Sequence, residues 1–312
     1  MNGQTALKKR KPRGFMYDLK HNKWLLLMSI PGLICIIMFR YVPMGGLAMA
    51  FQDYSLFKGI TGSKWVGFAN FQKFFGDIYF FRILRNTFLL GLYNLLWSFP
   101  APILLALCIN EVKSNKFKRV TQTITYLPYF ISVVIIVGIM RSLFASDTGV
   151  INRAITALGG ESISFFNSSA YFRSLYIGSG IWQSVGYNSI IYLAAITGID
   201  SQLYEAATID GASHVKCIIH ITLPSIVPTI AVLLTMSFGS ILDVGFEKVL
   251  LMYSPATYET ADVISTYVYR MGIEDMKYGY SAAVGLFNSV VAVALLMLGN
   301  LFSKTVLHES LW

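Results

Sequence analysis

The sequence predicts an all-α protein that crosses a membrane about six times, and three observations carry that expectation. First, of 312 residues 55% are hydrophobic and only 13% are charged, whereas a soluble domain carries about 25% charged residues. The mean hydropathy is +0.57. Second, several segments are apolar over the roughly 20 residues that a helix needs to cross about 30 Å of hydrocarbon. Third, no segment alternates with a period of two over about ten residues, as a membrane barrel requires. A soluble enzyme is excluded as a starting point.

Residues 1–23 are polar and basic and read as a tail. A basic region before an apolar run could mark a signal peptide, but Trp24 to Phe39 is followed by Arg40 and more apolar chain. No small-residue cleavage site intervenes, so a retained first span from Trp24 to Ala50 is expected. Arg40 falls beyond mid-membrane, where its long stem can carry the charge to the headgroups. Phe51 to Arg85 is a polar-aromatic connection whose aromatics suit the membrane interface.

Further spans are expected from Phe88 to Ile109, Tyr126 to Phe144, Leu175 to Ile199, Ile226 to Phe246 and Ala282 to Phe302. Pro100 and Pro102 in the second are tolerable because neighbouring helices re-satisfy the freed backbone groups. The transmembrane domain is thus 24–304, with a core over 82–303 and a short tail over 305–312.

The net charge of +9 is not spread as a basic face. Much of it lies in Lys8 to Arg13 and Lys113 to Arg119, beside apolar segments, which reads as membrane topology rather than nucleic-acid contact. An even number of spans separates these two basic segments, so the positive-inside bias puts both in the cytoplasm. Two more spans bring the 200–224 loop to the same side, and both termini are expected there. The three cysteines (Cys35, Cys108, Cys217) have no ligand spacing and read as single packing residues.

Between the fourth and fifth spans lies LYEAATIDGASHVKCIIHITLPSIVP, Leu203 to Pro228, a polar interruption of the apolar chain. Asp200 or Ser201 can cap a helix there, with Glu205 in a first turn where an acid favours the dipole. Leu203, Ala206 and Ala207 make a small, flat face. Gly211 can end or bend the helix. A second run, Ala212 to His220, is expected to be broken by Leu223-Pro224 before the fifth span. Such a pair of helices suits docking into a groove on another protein. The alternative is a loop resting on lipid headgroups, against which an acid facing anionic lipid counts.

Glu205, Ala206, Ala207, Gly211, Ile221, Leu223 and Pro224 match the EAA loop: E-A-A, three residues, G, nine residues, I-x-L-P. The chain is thereby similar to permease subunits of bacterial binding-protein-dependent ABC importers. The stretches from Asn110 to Ser132 and from Asp262 to Arg270, together with the ending ESLW, resemble the sugar-importing branch, in particular the polysaccharide-type permeases associated with a lipid-anchored binding protein. The maltose-type relatives have a large extracytoplasmic domain and extra leading spans that are not seen here, so a maltose assignment is not expected.

The resemblance implies the type I importer permease fold, with the loop as a coupling helix that fits a cleft on an ATPase subunit. Glu205, Ala206, Ala207, Asp210, Gly211, Ile221, Leu223 and Pro224 would serve that coupling. It implies as partners a second, related but non-identical permease, a cytoplasmic ABC ATPase dimer, an extracytoplasmic lipid-anchored solute-binding protein and a saccharide. No cofactor would be bound by this chain, because ATP is hydrolysed by the partner.

No catalytic constellation is present, and no G-x-x-x-x-G-K-[ST] loop that could cradle ATP phosphates. An enzyme is therefore not expected. The histidines His21, His214, His220 and His308 fall outside the expected spans, which argues against a buried proton relay. An ion-coupled secondary transporter, the alternative, should show inverted repeats and deep ionisable residues. No repeat is evident. A sugar path needs hydrogen-bonding groups and flat rings around a watery cavity. Trp182, Gln183, Tyr187 and Asn188 in the fourth span and Asp243 in the fifth are the candidates, with Ser240 and Asn288 as further polar positions. Helix-packing contacts are the competing reading for each.

Overall fold

A computed structural model describes residues 23–307, so the basic tail before Lys23, residues 308–312, His21 and His308 lie outside the described residues. The chain is built from helices joined by short turns, with one two-stranded antiparallel sheet that pairs Gln52 with Trp65 and Asp53 with Lys64. The sheet lies inside the connection expected to be irregular. It is held by the Trp65 ring stacked on Phe51, centroids 5.8 Å apart.

Helix α1 (Lys23–Ile36) continues through a π turn, Ile37–Tyr41, and a short turn of helix to a tight 3-10 turn, Gly45–Phe51. Most of its apolar side chains are exposed, which suits contact with lipid. Only its far end packs inward. There Gly279 lies so close that a Cβ would stand 2.5 Å from the Gln52 carbonyl oxygen.

After a short α2 (Ala69–Phe75), helices α3 (Phe80–Ser98) and α4 (Pro100–Glu111) run together as one 32-residue apolar length, Phe80–Glu111. The second span therefore begins eight residues before the expected Phe88. Arg82 and Asn86 read as loop, yet they sit in the helix because a distant segment answers them: Arg82 reaches the Asp262 carboxylate, and Asn86 donates to the carbonyls of Glu259 and Asp262.

The third expected span is corrected. Helix α5 (Asn115–Tyr126), a 3-10 turn (Leu127–Phe130) and α6 (Val133–Leu143) are bent by 100°. Pro128 removes a backbone donor, and Ser132 restarts the helix by accepting the Ile135 N–H on its side chain. After α7 (Val150–Ala157), the fourth expected span forms the 29-residue α8 (Ser169–Thr197). It is absent from the helices apolar enough to span by composition alone. Its serines, Gln183 and Asn188 account for that, and several of them face polar surroundings described below.

The fifth span is also redrawn. Helix α9 (Ser201–Ile209) precedes α10 (His214–Cys217), which passes through a π turn, Ile218–Thr222, into α11 (Leu223–Gly239). His214–Gly239 is a single apolar length, so Leu223-Pro224 does not break it. The π turn accommodates the proline, which lacks an N–H and would crowd the carbonyl four residues back in a regular helix. His214 and His220 therefore belong to this helix rather than lying outside it.

Short α12 (Phe246–Met252), α13 (Tyr258–Ala261) and α14 (Ile264–Tyr269) lead to α15 (Tyr278–Phe302). Four helices among the described residues are long and apolar enough to cross a membrane, or five if the bent pair counts as one. The helix α8 adds a length of about 43 Å at about 1.5 Å per residue.

Because lipid tails are as apolar as Leu, helix association here relies on close packing. Gly91 of α3 lies against the Ile241 carbonyl and Gly186 of α8 against the Thr125 carbonyl, and a Cβ at either would overlap that oxygen. The largest buried cluster joins Leu90, Ile136, Val137, Met140, Phe172, Tyr176 and Val249, from α3, α6, α8 and α12.

Candidate functional site

The 200–224 loop is closed by local backbone bonds. The Asp200 carboxylate caps α9 by accepting the Gln202 N–H at 3.0 Å. At the other end the Ala212 N–H reaches the Ala207 carbonyl and the Gly211 N–H reaches Thr208, with Gly211 at φ +75°. This is a glycine-terminated C-cap of the Schellman type. Glu205 stands fifth in α9, in its second turn, so the first-turn placement is corrected. Its side chain is exposed, as are Ala206, Asp210 and Pro224, while Ala207, Ile221 and Leu223 are half-buried.

Leu203 (50% exposed), Ile209 (87%) and Val215 (63%) leave the loop with an uncovered apolar surface beside that acid. The Tyr204 hydroxyl meets the Thr222 hydroxyl at 2.9 Å and ties α9 to the root of α11. His214 Nε2 lies 3.2 Å from Glu111 Oε2 and ties the same root to α4.

A cavity of about 470 Å³ opens between α3, α8 and α11. Its polar wall comprises Asn94, Ser98, Ser184, Asn188, Ser237, Ser240 and Asp243, with the Tyr176 and Tyr192 rings beside them. The expected path residues divide here. Asn188 and Asp243 line this cavity, and Trp182, Gln183 and Tyr187 do not. At about 100° per residue, Gln183 and Asn188 point about 140° apart around α8. Gln183 donates to the Ile131 carbonyl at 3.1 Å, serving the break between α5 and α6. Tyr187 stacks on Tyr129 at 3.8 Å, and Trp182, half exposed, lines a separate apolar hollow with Ile136, Met140 and Leu175.

Asp243 is not inside a span. The helix α11 ends at Gly239, and Asp243 stands exposed in the turn that follows, between the buried Ile241, Leu242 and Val244. Asn288 lies away from the cavity. Sequence reasoning missed Asn94 and Ser98. Their i, i+4 spacing in LYNLLWSF was the available signal, and the Ser98 hydroxyl donates to Asn94 at 2.8 Å.

A long bundle with a capped polar loop at one end and a hydrophilic hollow between its helices defines a membrane transport component. Residues 98–308 match the family described as the binding-protein-dependent transport system inner membrane component, and the chain belongs to it. It is the permease subunit of an ABC importer for sugars or polysaccharides, the membrane component rather than the ATPase.

Protein LplB of Bacillus subtilis (strain 168) is 46% identical over 298 residues, covering 96% of this chain and 94% of the relative. The polygalacturonan/rhamnogalacturonan transport system permease protein YteP of the same organism is 45% identical over 308 residues, covering 99% and 96%. A crystal structure of a bacterial alginate ABC transporter, in complex with a pentasaccharide-bound periplasmic protein, contains a chain that superposes with a TM-score of 0.87. That chain is 43% identical, with coverage of 95% of this chain and 99% of it.

Proposed function

We propose that this chain forms half of the translocation path for an oligosaccharide or polysaccharide fragment and couples that path to ATP hydrolysis through residues 200–224. The observation that carries the reading is the pairing of an exposed, self-capped loop with a polar-walled cavity along the same two long helices, α8 and α11. In this reading Glu205, Ala206, Ala207, Asp210 and Gly211 present the docking surface. Ile221, Leu223 and Pro224 set its angle to the membrane helix.

The occupant of the docking surface is a cytoplasmic ABC ATPase dimer, which hydrolyses the ATP. A second, related permease supplies the other half of the path, as membership of the family implies. A lipid-anchored extracytoplasmic binding protein delivers the saccharide; the alginate structure, which includes a periplasmic binding protein, supports that partner. Both termini lie in the cytoplasm, on the side of the basic Lys113 to Arg119 segment. In the cavity Asn188 and Asp243 bind hydroxyls together with Asn94, Ser98 and Ser184, while Gln183 and Tyr187 hold the bent α5–α6 pair against α8.

The test is ATP hydrolysis by the purified complex of both permeases, the ATPase and the loaded binding protein. Glu205→Lys should abolish saccharide-stimulated hydrolysis while the permease pair stays assembled. Wild-type stimulation in that variant would overturn the coupling role.

A further inference from the structure

A second hollow, of about 530 Å³, shares no lining residue with the cavity between α3, α8 and α11. It lies where the Gln52–Asp53 strand, α2, the end of α14 and the start of α15 meet, and Asp77 on its wall stands just before α3. The apolar length that begins at Phe80 ends at Glu111, which meets His214 beside the 200–224 loop. Its 32 residues extend about 48 Å at about 1.5 Å each, so the hollow and the loop occupy opposite ends of the bundle. In the topology proposed above, the hollow opens on the extracytoplasmic side.

The buried side chains of its wall spend their donors on the protein itself. Asn70, 6% exposed, donates from its amide to the Ala50 and Gln52 carbonyls, each at 3.0 Å. Tyr267 turns its hydroxyl to Asp77 Oδ2 at 2.5 Å, and half-buried Tyr280 does the same at 3.0 Å. Gln52, also 6% exposed, donates from Nε2 to the Ile60 carbonyl at 2.8 Å, but its Oε1 is buried with no partner among the described residues. A buried acceptor left unpaired costs free energy that a ligand O–H recovers. The charges on the wall balance, with Asp53 and Asp77 against Lys73 and Lys277, the last also paired with Asp275 at 3.1 Å. An ion therefore meets no net opposite charge here, which suits a neutral ligand. Half-buried Tyr54 and Tyr278, edge to face with centroids 5.9 Å apart, add flat carbon faces and two hydroxyls. Acceptors in the depth, hydroxyls and a lysine nearer solvent, and aromatic faces beside them together fit a ring that carries hydroxyls, and the volume lies in the roughly 300–1,000 Å³ usual for small-ligand sites.

We propose that this hollow is a second saccharide site, which holds an uncharged sugar ring of the incoming chain before it reaches the cavity between α3, α8 and α11. This rests on the saccharide path and the orientation proposed above. The test is photolabelling of the complete importer in lipid nanodiscs. The probes are neutral arabino-, galacto- and gluco-oligosaccharides that carry a diazirine at the reducing end, and labelled peptides are located by mass spectrometry. Label should fall within 52–77 and 267–280 and be displaced by the unmodified sugar, and less well by oligogalacturonate. Gln52→Met should cut that label about 2- to 10-fold, the weight of one hydrogen bond. If Gln52→Met fails to accumulate, Asp53→Trp at an exposed strand position obstructs the hollow and should remove the label. Asp243→Asn, in the other cavity, should leave it unchanged.

Label confined to α3, α8 and α11 overturns the proposal, as does the absence of displaceable label anywhere. Undiminished label in Asp53→Trp, or displacement by oligogalacturonate as effective as by the neutral sugars, overturns it too. Label at 52–77 and 267–280 with none in α8 or α11 is a different result, since it keeps this site and removes the proposed path.

Discussion

Tyr204 Oη and Thr222 Oγ1 stand 2.9 Å apart and form a side-chain bond between the exposed helix α9 and the π turn at the root of α11. Thr222 is buried and Tyr204 half-buried, so the bond is shielded from competing water. In the coupling proposed above, a push on α9 reaches the membrane helix through two routes, the backbone around Gly211 and this hydroxyl pair. Tyr204→Phe should leave the complex assembled but lower saccharide-stimulated ATP hydrolysis about 2- to 10-fold, the weight of one hydrogen bond of about 0.5–1.5 kcal/mol. Comparing stimulated with basal hydrolysis measures it.

Gly211 adopts φ +75°, and open space surrounds the position where a Cβ would stand. Substitution is therefore penalised by the backbone alone, at about 1–2 kcal/mol for a residue with a Cβ in the left-handed region. Gly211→Ala should uncouple stimulated hydrolysis more than Gly211→Asn, because Asn visits that region more readily. Equal loss in both variants would point to a lost contact instead.

Gly91→Ala should prevent stable accumulation, since the new methyl would overlap the Ile241 carbonyl and force α3 from the turn that carries Asp243. Gly138→Ala, in α6 with nothing within 4 Å, should accumulate normally. Membrane levels of the two variants, measured side by side, check the close approach.

Asp262→Asn should destabilise the protein by about 3–5 kcal/mol, the usual result of breaking a buried ion pair. The carboxylate is fully buried between Arg270 and Arg82 and also accepts the Thr266 hydroxyl at 3.0 Å. A lowered unfolding temperature of the detergent-solubilised subunit, compared with the exposed control Glu259→Gln, is the expected readout.

Asp77 lies in the turn between α2 and α3. Burial pushes its carboxyl up, but hydrogen bonds from Tyr267, the Tyr79 N–H and Tyr280, with Lys277 nearby, outweigh that and hold it below the ordinary 3.8. A carboxyl depressed in the folded state adds stability that is present above its unfolded value and lost as pH falls through the folded one. Thermal stability should therefore drop as pH falls below about 3.8, and Asp77→Asn should flatten that part of the profile.

The uneven legibility of the chain follows from the range of each signal. The first, second and sixth spans and the motif in the 200–224 loop could be read because apolar length and a seven-position motif are local properties. The start of α3 was read late because Arg82 and Asn86 lose their polar character only when Asp262 and Glu259, more than 170 residues away, come to meet them. The unbroken His214–Gly239 helix was missed because a proline signals a break unless the chain widens into a π turn.

The sequence by itself determined that the chain lives in a membrane and which importer family it joins. Only the tertiary structure decided which polar residues share a cavity. Gln183 and Asn188 are equally polar and five residues apart on one helix. Packing against the Ile131 carbonyl turns the first toward the α5–α6 break, and the gap between α3 and α11 leaves the second open to the hollow. Helix periodicity sets the angle between two side chains, but the neighbouring helices set which of them faces the cavity.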